Sequence, residues 1–228
     1  MRLLLFDIDG PLIKGDQEGR LAMGAALEQM FGTKGSLDTY QMGGKTDMRI
    51  VTDLLSEAGV GLEEIRMRMP DFFLLMADFA REIYPMRDIM ACPGIESLLA
   101  KLRYREGVMI GLLTGNAAAT APLKLQAAGI DPDQFVVGAF GSDDLDRNNL
   151  PEIALQRANK LTVDAITGDN AVIIGDTPAD VQCARAGMAR AVAVASGWHA
   201  AEILLQYEPD YLFTDLSDTE TVLTVLLS

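Results

Sequence analysis

The sequence alternates short apolar runs with longer stretches of helical periodicity, and each run ends in polar or glycine residues. The runs lie at residues 3–6, 108–113, 135–137, 171–174, 191–195 and 211–213. Runs this short and this apolar are typical of strands that are buried on both faces of a parallel sheet and joined by crossover helices. The pattern therefore predicts an α/β fold built on a doubly wound parallel sheet.

The intervals between the runs favour helices, and one interval is much longer than the others. Helices are predicted over residues 94–105, 117–128, 151–160 and 178–186. Residues 15–89 contain only helical patterns, and half of the 12 methionines fall between Met30 and Met76, as expected of gap-filling side chains in a helical bundle. We therefore predict a core domain of residues 1–14 and 90–228, interrupted by a helical domain of residues 15–89.

Composition excludes several classes of protein. The chain has 228 residues and carries 33 acidic against 19 basic side chains, a net charge of −14, which argues against a nucleic-acid partner. Its two cysteines, Cys92 and Cys183, cannot build a disulfide framework. No apolar run is long enough to span a membrane, and the N-terminal run is too short for a signal peptide, so we expect a cytoplasmic protein with no membrane partner.

Polar side chains stand where the predicted strands end. In a doubly wound sheet, ligands bind outside the carboxyl ends of the strands, so these side chains should gather at one edge. They are Asp7 and Asp9, Thr114 and Asn116, and Asp176 and Asp180. Four carboxylates together would repel one another without a cation, and an oxygen-rich site without nearby His or Cys favours Mg²⁺ over zinc.

Magnesium, paired carboxylates, a threonine hydroxyl and a glycine amide suit phosphoryl transfer. One aspartate can attack phosphorus, and a second can protonate the leaving oxygen and then activate water. The metal would neutralise phosphate charge. The alternative is that the aspartates only cap helices or turns.

Three segments resemble motifs of the haloacid dehalogenase superfamily. Residues 7–12 (DIDGPL) are similar to its first motif, residues 112–116 (LLTGN) to its second, and residues 172–180 (VIIGDTPAD) to its fourth. Their order and spacing match across nearly the whole chain, and residues 15–89 fall where the type-1 helical cap of the family lies. The resemblance implies a Rossmann-like core with an inserted α-helical cap, closest in character to phosphoglycolate phosphatases.

The resemblance also implies roles for the residues that match its motifs. Asp7 would be the nucleophile that forms an aspartyl-phosphate, and Asp9 the general acid and base. Thr114 would hold phosphate with help from Gly115 and Asn116.

The same resemblance implies a Mg²⁺ site. Asp7, Asp176 and the backbone carbonyl of Asp9 would be ligands, and Asp180 would support the water shell of the metal or orient its neighbours. The alternative for Asp180 is a simple helix first-turn acid.

The third motif of the family departs from its usual pattern in this chain. A lysine is expected there, but residues 146–152 (DRNNLPE) place Asn148 in strict register and Arg147 one residue earlier. A cation is needed to offset the charge of nucleophile and phosphate, and we predict that Arg147 supplies it. The alternative is a salt bridge between Arg147 and an aspartate of its own loop. Lys124 and Lys160 are predicted to lie on helix surfaces.

In the proposed cap, the composition of residues 43–49 (GGKTDMR) suggests contact with the substrate. The two glycines allow close approach to a ligand, and Lys45 and Arg49 could bind an anionic leaving group. The alternative is a helix start with Thr46 or Asp47 as N-cap, and both interpretations can hold together.

Asp9 separates the functions within the superfamily. Dehalogenases and phosphonatases generally lack this acid, so its presence disfavours both. The sequence predicts a Mg²⁺-dependent phosphatase that hydrolyses a small phosphorylated metabolite, phosphoglycolate-like or a sugar phosphate, as a monomer or homodimer. A sugar-phosphate mutase similar to β-phosphoglucomutase is the alternative. A non-catalytic binding protein should have lost some of the four acids, and all four are present.

Overall fold

A computed structural model describes residues 1–15 and 17–228 of the chain. Eight strands are numbered in chain order: β1 Arg2–Phe6, β2 Ile13–Lys14, β3 Met90–Ala91, β4 Val108–Leu113, β5 Val137–Ala139, β6 Ala171–Gly175, β7 Arg190–Val194 and β8 Tyr211–Phe213. Six of them form a parallel sheet in the order β5-β4-β1-β6-β7-β8. The doubly wound, Rossmann-like α/β prediction is confirmed.

Helices connect the strands and cover the sheet. They are α1 Glu18–Phe31, α2 Asp47–Glu57, α3 Leu62–Ile83, α4 Ile95–Leu102, α5 Ala121–Ala127, α6 Leu150–Ala158, α7 Pro178–Ala186, α8 Ala201–Leu205 and α9 Thr219–Leu227. The predicted helix at 117–128 begins later than expected, at Ala121, because residues 117–120 form a turn that ends where Pro122 fits the first helical turn. Among the described residues, no helix is both long and apolar enough to cross a bilayer.

The first strand lies at the centre of the sheet. Its neighbours are β4 on one side and β6 on the other, with Leu5 in register with Gly111 and Ile173. Side chains of a strand alternate between the two faces, and here both faces are fully buried, which explains the unbroken apolar run of β1. The chain reverses its direction of winding at β1, so the residues that follow β1 occupy the switch point of the sheet, where ligands bind.

Three helices, α1 to α3, form an insertion between β2 and β3. These two strands pair antiparallel, Ile13 with Ala91 and Lys14 with Met90, so they join the two ends of the insertion. Phe72, Met76 and many other insertion side chains are buried, whereas Met67 is exposed and departs from the predicted role of the methionines. The division of the chain into a core and a cap domain stays a prediction.

Candidate active site

The loop after β1 carries Asp7 into the switch point. Asp7 is buried, its backbone N–H donates to the Ile174 carbonyl at 2.8 Å, and its Oδ1 accepts from the Ile8 N–H at 2.7 Å. Gly10 turns the chain with a φ of 101°, and a Cβ at Gly10 would lie 2.2 Å from Cγ of Asp176. Glycine is therefore required for the β1 loop to pack against the β6 loop.

Three carboxylates form a cluster at this edge of the sheet. Asp7, Asp176 and Asp180 each offer an oxygen, and the three oxygens lie within 4.8 Å of one another. Asp176 is 2% exposed, and its Oδ1 has no hydrogen-bond partner. Burial and the neighbouring carboxylates raise the pKa of Asp176 to about 8, so the cluster is short of positive charge. An orphaned carboxylate oxygen among hard oxygen donors fits a divalent cation such as Mg²⁺.

Asp180 is a first-turn acid of α7 and also faces the carboxylate cluster. Its Oδ2 accepts from the backbone N–H and the hydroxyl of Thr177, at 2.9 and 2.7 Å, so it completes a capping box at the start of α7. Its Oδ1 faces the carboxylate cluster and accepts from Nη2 of Arg147 at 2.5 Å. The capping box of α7 therefore holds the Asp180 carboxylate in place and leaves its Oδ1 facing the carboxylate cluster.

Arg147 lies at the carboxylate cluster. It begins a short 3₁₀ turn, Arg147–Asn149, and its buried Nη2 lies 2.9 Å from Oδ2 of Asp7 as well as beside Asp180. The alternative of a salt bridge within its own loop is wrong, because Arg147 pairs with Asp7 and Asp180, and Asp143 of that loop pairs with Arg157 at 2.6 Å. Asn148 is exposed, so it does not take the expected lysine position.

Two carboxylates of the β1 loop have opposite electrostatic surroundings. Burial raises the pKa of Asp7 to about 6; Arg147 opposes this increase and Asp180 adds to it. Burial would also raise the pKa of Asp9, but the Lys124 ammonium and the Asn116 amide outweigh burial and hold that pKa below its usual value.

Thr114 and Asn116 follow β4 and reach the β1 loop. Nδ2 of Asn116 donates to Oγ1 of Thr114 and to Oδ2 of Asp9, both at 2.8 Å. Thr114 is fully buried beside Asp7, where its side chain forms a hydrogen bond that lowers the pKa of Asp7. A Cβ at Gly115 would lie 2.2 Å from the Lys45 carbonyl oxygen, so only glycine permits this approach.

The prediction of a surface position for Lys124 is wrong. Its side chain is 6% exposed, and its Nζ lies 2.7 and 2.9 Å from the two carboxylate oxygens of Asp9. The same Nζ lies 3.2 Å from Glu18 Oε1 and 3.2 Å from Asn116 Oδ1. A signal for burial exists in the sequence, since Lys124 stands three residues after Ala121 and one before Leu125 on the buried stripe of α5.

Lys45 and Arg49 lie on the insertion and are already paired there. Nζ of Lys45 donates to the Tyr40 hydroxyl at 2.8 Å, and Nε of Arg49 lies 2.9 Å from a carboxylate oxygen of Asp53. Within the described part of the chain, neither side chain contacts the carboxylate cluster. Thr46 is the N-cap of α2 and accepts from the Arg49 N–H at 3.2 Å, so this part of the alternative is confirmed.

The first turn of α2 docks on the loops after β4 and β5. The Asp47 N–H donates to the Gly115 carbonyl at 2.8 Å, and its Oδ2 accepts from the Ala117 N–H at 2.8 Å. The Thr46 hydroxyl donates to the Leu145 carbonyl at 3.1 Å. Sequence reasoning considered Asp47 only as a capping residue, and a contact across 70 residues leaves no local signal.

The chain belongs to the haloacid dehalogenase-like hydrolase family, whose model matches residues 1–187. It is therefore a hydrolase by family, and the resemblance drawn from its motifs is confirmed. No curated protein sequence matches this chain.

Solved structures share the fold across nearly the entire chain. A hydrolase from Pseudomonas syringae has 21% identity and a TM-score of 0.69, with 98% of each chain covered. A predicted phosphoglycolate phosphatase from Haemophilus somnus has 19% identity and a TM-score of 0.68, again with 98% of each chain covered. A proposed β-phosphoglucomutase from Bacteroides vulgatus has 20% identity and a TM-score of 0.65, covering 100% of this chain and 89% of that one. At these identities the similarity shows the fold alone.

Proposed function

We propose that this protein is a Mg²⁺-dependent phosphatase that hydrolyses a small phosphorylated metabolite through an aspartyl-phosphate intermediate. The observation that carries the proposal is the contact between Arg147 and Asp7 beside the carboxylate cluster at the switch point. A nucleophilic carboxylate needs a cation beside it to accept an anionic phosphate, and a guanidinium suits phosphate oxygens. Family membership supports hydrolysis as the class of reaction.

Each residue at the end of the sheet has a proposed task. Asp7 attacks phosphorus, and Arg147 offsets the charge of the phosphate and the nucleophile. The Thr114 hydroxyl and the backbone amides of Gly115 and Asn116 hold phosphate oxygens. Asp9, whose carboxylate is half exposed, takes a proton from solvent and passes it to the leaving oxygen, and the carboxylate that this step regenerates can then take a proton from the attacking water.

Asp7, Asp176, Asp180 and the backbone carbonyl of Asp9 would hold the Mg²⁺ ion. The side chain of Asp9 is not part of the three-carboxylate cluster, which agrees with a backbone contribution from this residue. When bound, the ion supplies positive charge that neutralises the phosphate and the clustered acids.

The insertion is proposed to act as a cap that selects the substrate. Its α2 turn contacts the loop that carries Thr114 and Gly115, and this contact supports a role for Lys45 and Arg49 in binding the leaving group. These cations suit a phosphoglycolate-like or sugar phosphate substrate, whose leaving group is anionic or polar. Lys45 would have to exchange its bond to Tyr40 for a bond to substrate.

A sugar-phosphate mutase is the second candidate, because the similarity to the Bacteroides vulgatus protein extends over this entire chain. A mutase must protect its aspartyl-phosphate from water until a second hydroxyl arrives. Incubation with a sugar 1-phosphate separates the two: free phosphate supports the phosphatase, and a sugar 6-phosphate supports the mutase.

The decisive test combines a substrate screen with one variant. Phosphate release is measured over a panel of phosphorylated metabolites with Mg²⁺, for the wild type, for Asp7→Asn and for Asp164→Asn, which changes an exposed loop aspartate. We expect Asp7→Asn to lose at least about 10³-fold in kcat with an unchanged circular dichroism spectrum, and Asp164→Asn to match the wild type. Retained activity in Asp7→Asn would exclude the aspartyl-phosphate.

A further inference from the structure

A second buried cation contacts the β1 loop: Lys124 pairs with Asp9, whereas Arg147 pairs with Asp7. Lys124 comes from the middle of α5 and donates to both carboxylate oxygens of Asp9. The Lys124 side chain is 6% exposed, whereas the Asp9 side chain is 44% exposed. The cation is thus a fixed part of the interior, and the acid lies between it and solvent.

Two-point contact restricts the orientation of the Asp9 carboxylate. Because Lys124 approaches both oxygens and Asn116 donates to one of them at 2.8 Å, rotation about the last torsion of Asp9 would break at least one bond. The same Asn116 amide also donates to Thr114, which ties the orientation of Asp9 to the proposed phosphate-holding hydroxyl. Asp9 therefore takes its position from α5 and from the loop after β4, and not from its own loop alone.

The insertion shares the same ammonium group. Glu18 stands in the first turn of α1, is buried, and pairs with Lys124 at 3.2 Å. A Cβ at Gly15 would lie 2.4 Å from Glu18 Oε2, so the segment that enters the insertion packs directly on this carboxylate. Any movement of α1 relative to α5 would therefore change the charges around Lys124.

We propose that Lys124 is a positioning residue for the general acid, and that Glu18 couples it to the insertion. This inference depends on the proposed phosphatase function. Lys124 holds the Asp9 carboxylate in one orientation. Asp9, whose side chain is 44% exposed, takes a proton from solvent and passes it to the oxygen of the leaving group as the bond from that oxygen to phosphorus breaks. Glu18 keeps the ammonium in place when the insertion is docked.

The leaving group provides a direct test. Phenyl phosphate and p-nitrophenyl phosphate have almost the same shape, but p-nitrophenolate is a far weaker base and needs little help from a general acid. For Lys124→Gln we expect kcat/KM, which reports the steps through departure of the leaving group, to fall about 10- to 100-fold with phenyl phosphate and only about 2-fold with p-nitrophenyl phosphate. Lys124→Arg should recover part of the loss, and Lys160→Gln, an exposed control, should match the wild type.

A double-variant comparison shows whether the effect passes through Asp9. In the Asp9→Asn background, Lys124→Gln should cause almost no further loss, because there is no acid left to position. Equal losses with both phosphates, or additive losses in the double variant, would overturn the proposal. Phosphate release by the wild type with loss on Asp7→Asn would meanwhile still support the phosphatase, so the two proposals can fail separately.

A variant without both charges of the Lys124–Glu18 pair is the control for a folding defect. Lys124→Gln alone leaves Glu18 buried without its cation, so Lys124→Gln with Glu18→Gln is the second variant. Thermal melting is expected to recover toward the wild type in this pair, while the selective loss with phenyl phosphate persists. If the pair regains wild-type kcat/KM with phenyl phosphate, Lys124 has only a structural role and the proposal is wrong.

Discussion

The two aspartates of the β1 loop are two residues apart, yet each has its own buried cation and its own electrostatic state. Asp7 shares Arg147 with Asp180, and burial raises its pKa to about 6. Asp9 accepts from the Lys124 ammonium through both carboxylate oxygens. The pKa of Asp9 lies below its usual value, although burial by itself would raise it. Two chemically identical side chains are therefore prepared for different tasks by their surroundings: Asp7 is 8% exposed and lies beside Asp180, whereas Asp9 is 44% exposed and accepts from Lys124 through both oxygens.

Removing the Arg147 cation should have the largest effect on the Asp7 side of this comparison. In Arg147→Met, Asp7 and Asp180 keep their charges in a buried site without compensation, so we expect kcat/KM to fall about 10³-fold and the free energy of unfolding in EDTA to fall by about 3 kcal/mol. Steady-state kinetics and urea denaturation measure the two quantities.

An exposed arginine provides the control for Arg147→Met. Arg103 pairs with Asp131 at 3.5 Å, and both side chains are half exposed, so Arg103→Met should change stability by less than about 1 kcal/mol. Near wild-type activity in Arg147→Met would show that Arg147 has no catalytic role. The proposed difference between the two cations would then be wrong.

Magnesium affinity should depend on pH through the carboxylate cluster that contains Asp7 and Asp176. Protons compete with the ion for Asp176, whose pKa is raised to about 8, so the apparent affinity should fall by up to about 100-fold between pH 8 and pH 6. Trp198 is the single tryptophan, and its backbone N–H bonds to Asp176, so tryptophan fluorescence can follow Mg²⁺ binding without activity. A pH-independent affinity would show that the cluster is not the metal site, and Asp176→Asn should lose the fluorescence response.

The smallest predicted effects are changes in the free energy of unfolding, and they should have opposite signs in Asp7→Asn and Asp9→Asn. The folded-state pKa of Asp7, about 6, exceeds the unfolded value, so the folded protein binds more protons and its stability falls as pH rises from about 4 to about 6. Without metal at pH 8, Asp7→Asn removes this cost and should raise the free energy of unfolding by about 1 kcal/mol. Asp9→Asn removes one partner of Lys124 and should lower it by up to about 1 kcal/mol.

Urea denaturation in EDTA at pH 4 and pH 8 measures both variants. The gain of Asp7→Asn should be absent at pH 4, where the wild-type carboxyl is also neutral. If the free energy of unfolding changes with the same sign in Asp7→Asn and Asp9→Asn at pH 8, the electrostatic surroundings of the two aspartates do not differ as described.

Arg147 of the third motif shows which features of the site could be predicted from the sequence. The requirement for a cation near Asp7 and the approximate position of Arg147 followed from motif order and phosphate chemistry. Its second partner, Asp180, did not, because the loop aspartates were equally available partners along the chain and only the packing of α7 against the 3₁₀ turn brings Asp180 to Nη2.

Lys124 and Asp47 were missed for a related reason. Asp47 lies at a helix start that fits an ordinary capping role, and the position of Lys124 on the apolar stripe of α5 indicates burial but not its partner. Each makes its decisive contact with a distant segment. A buried charged residue looks like an exposed one in sequence, because the difference lies in which partner compensates it after folding.

By itself, the sequence determined the α/β class, the parallel sheet and the set of acids and hydroxyls at the carboxyl ends of β1, β4 and β6, because apolar runs and strand ends are local properties of the chain. Only the tertiary structure decided which cation serves which acid. Arg147 meets Asp7 across 140 residues, and Lys124 meets Asp9 across 115 residues. Such pairings depend on the rotation and packing of whole helices, and no local pattern encodes them.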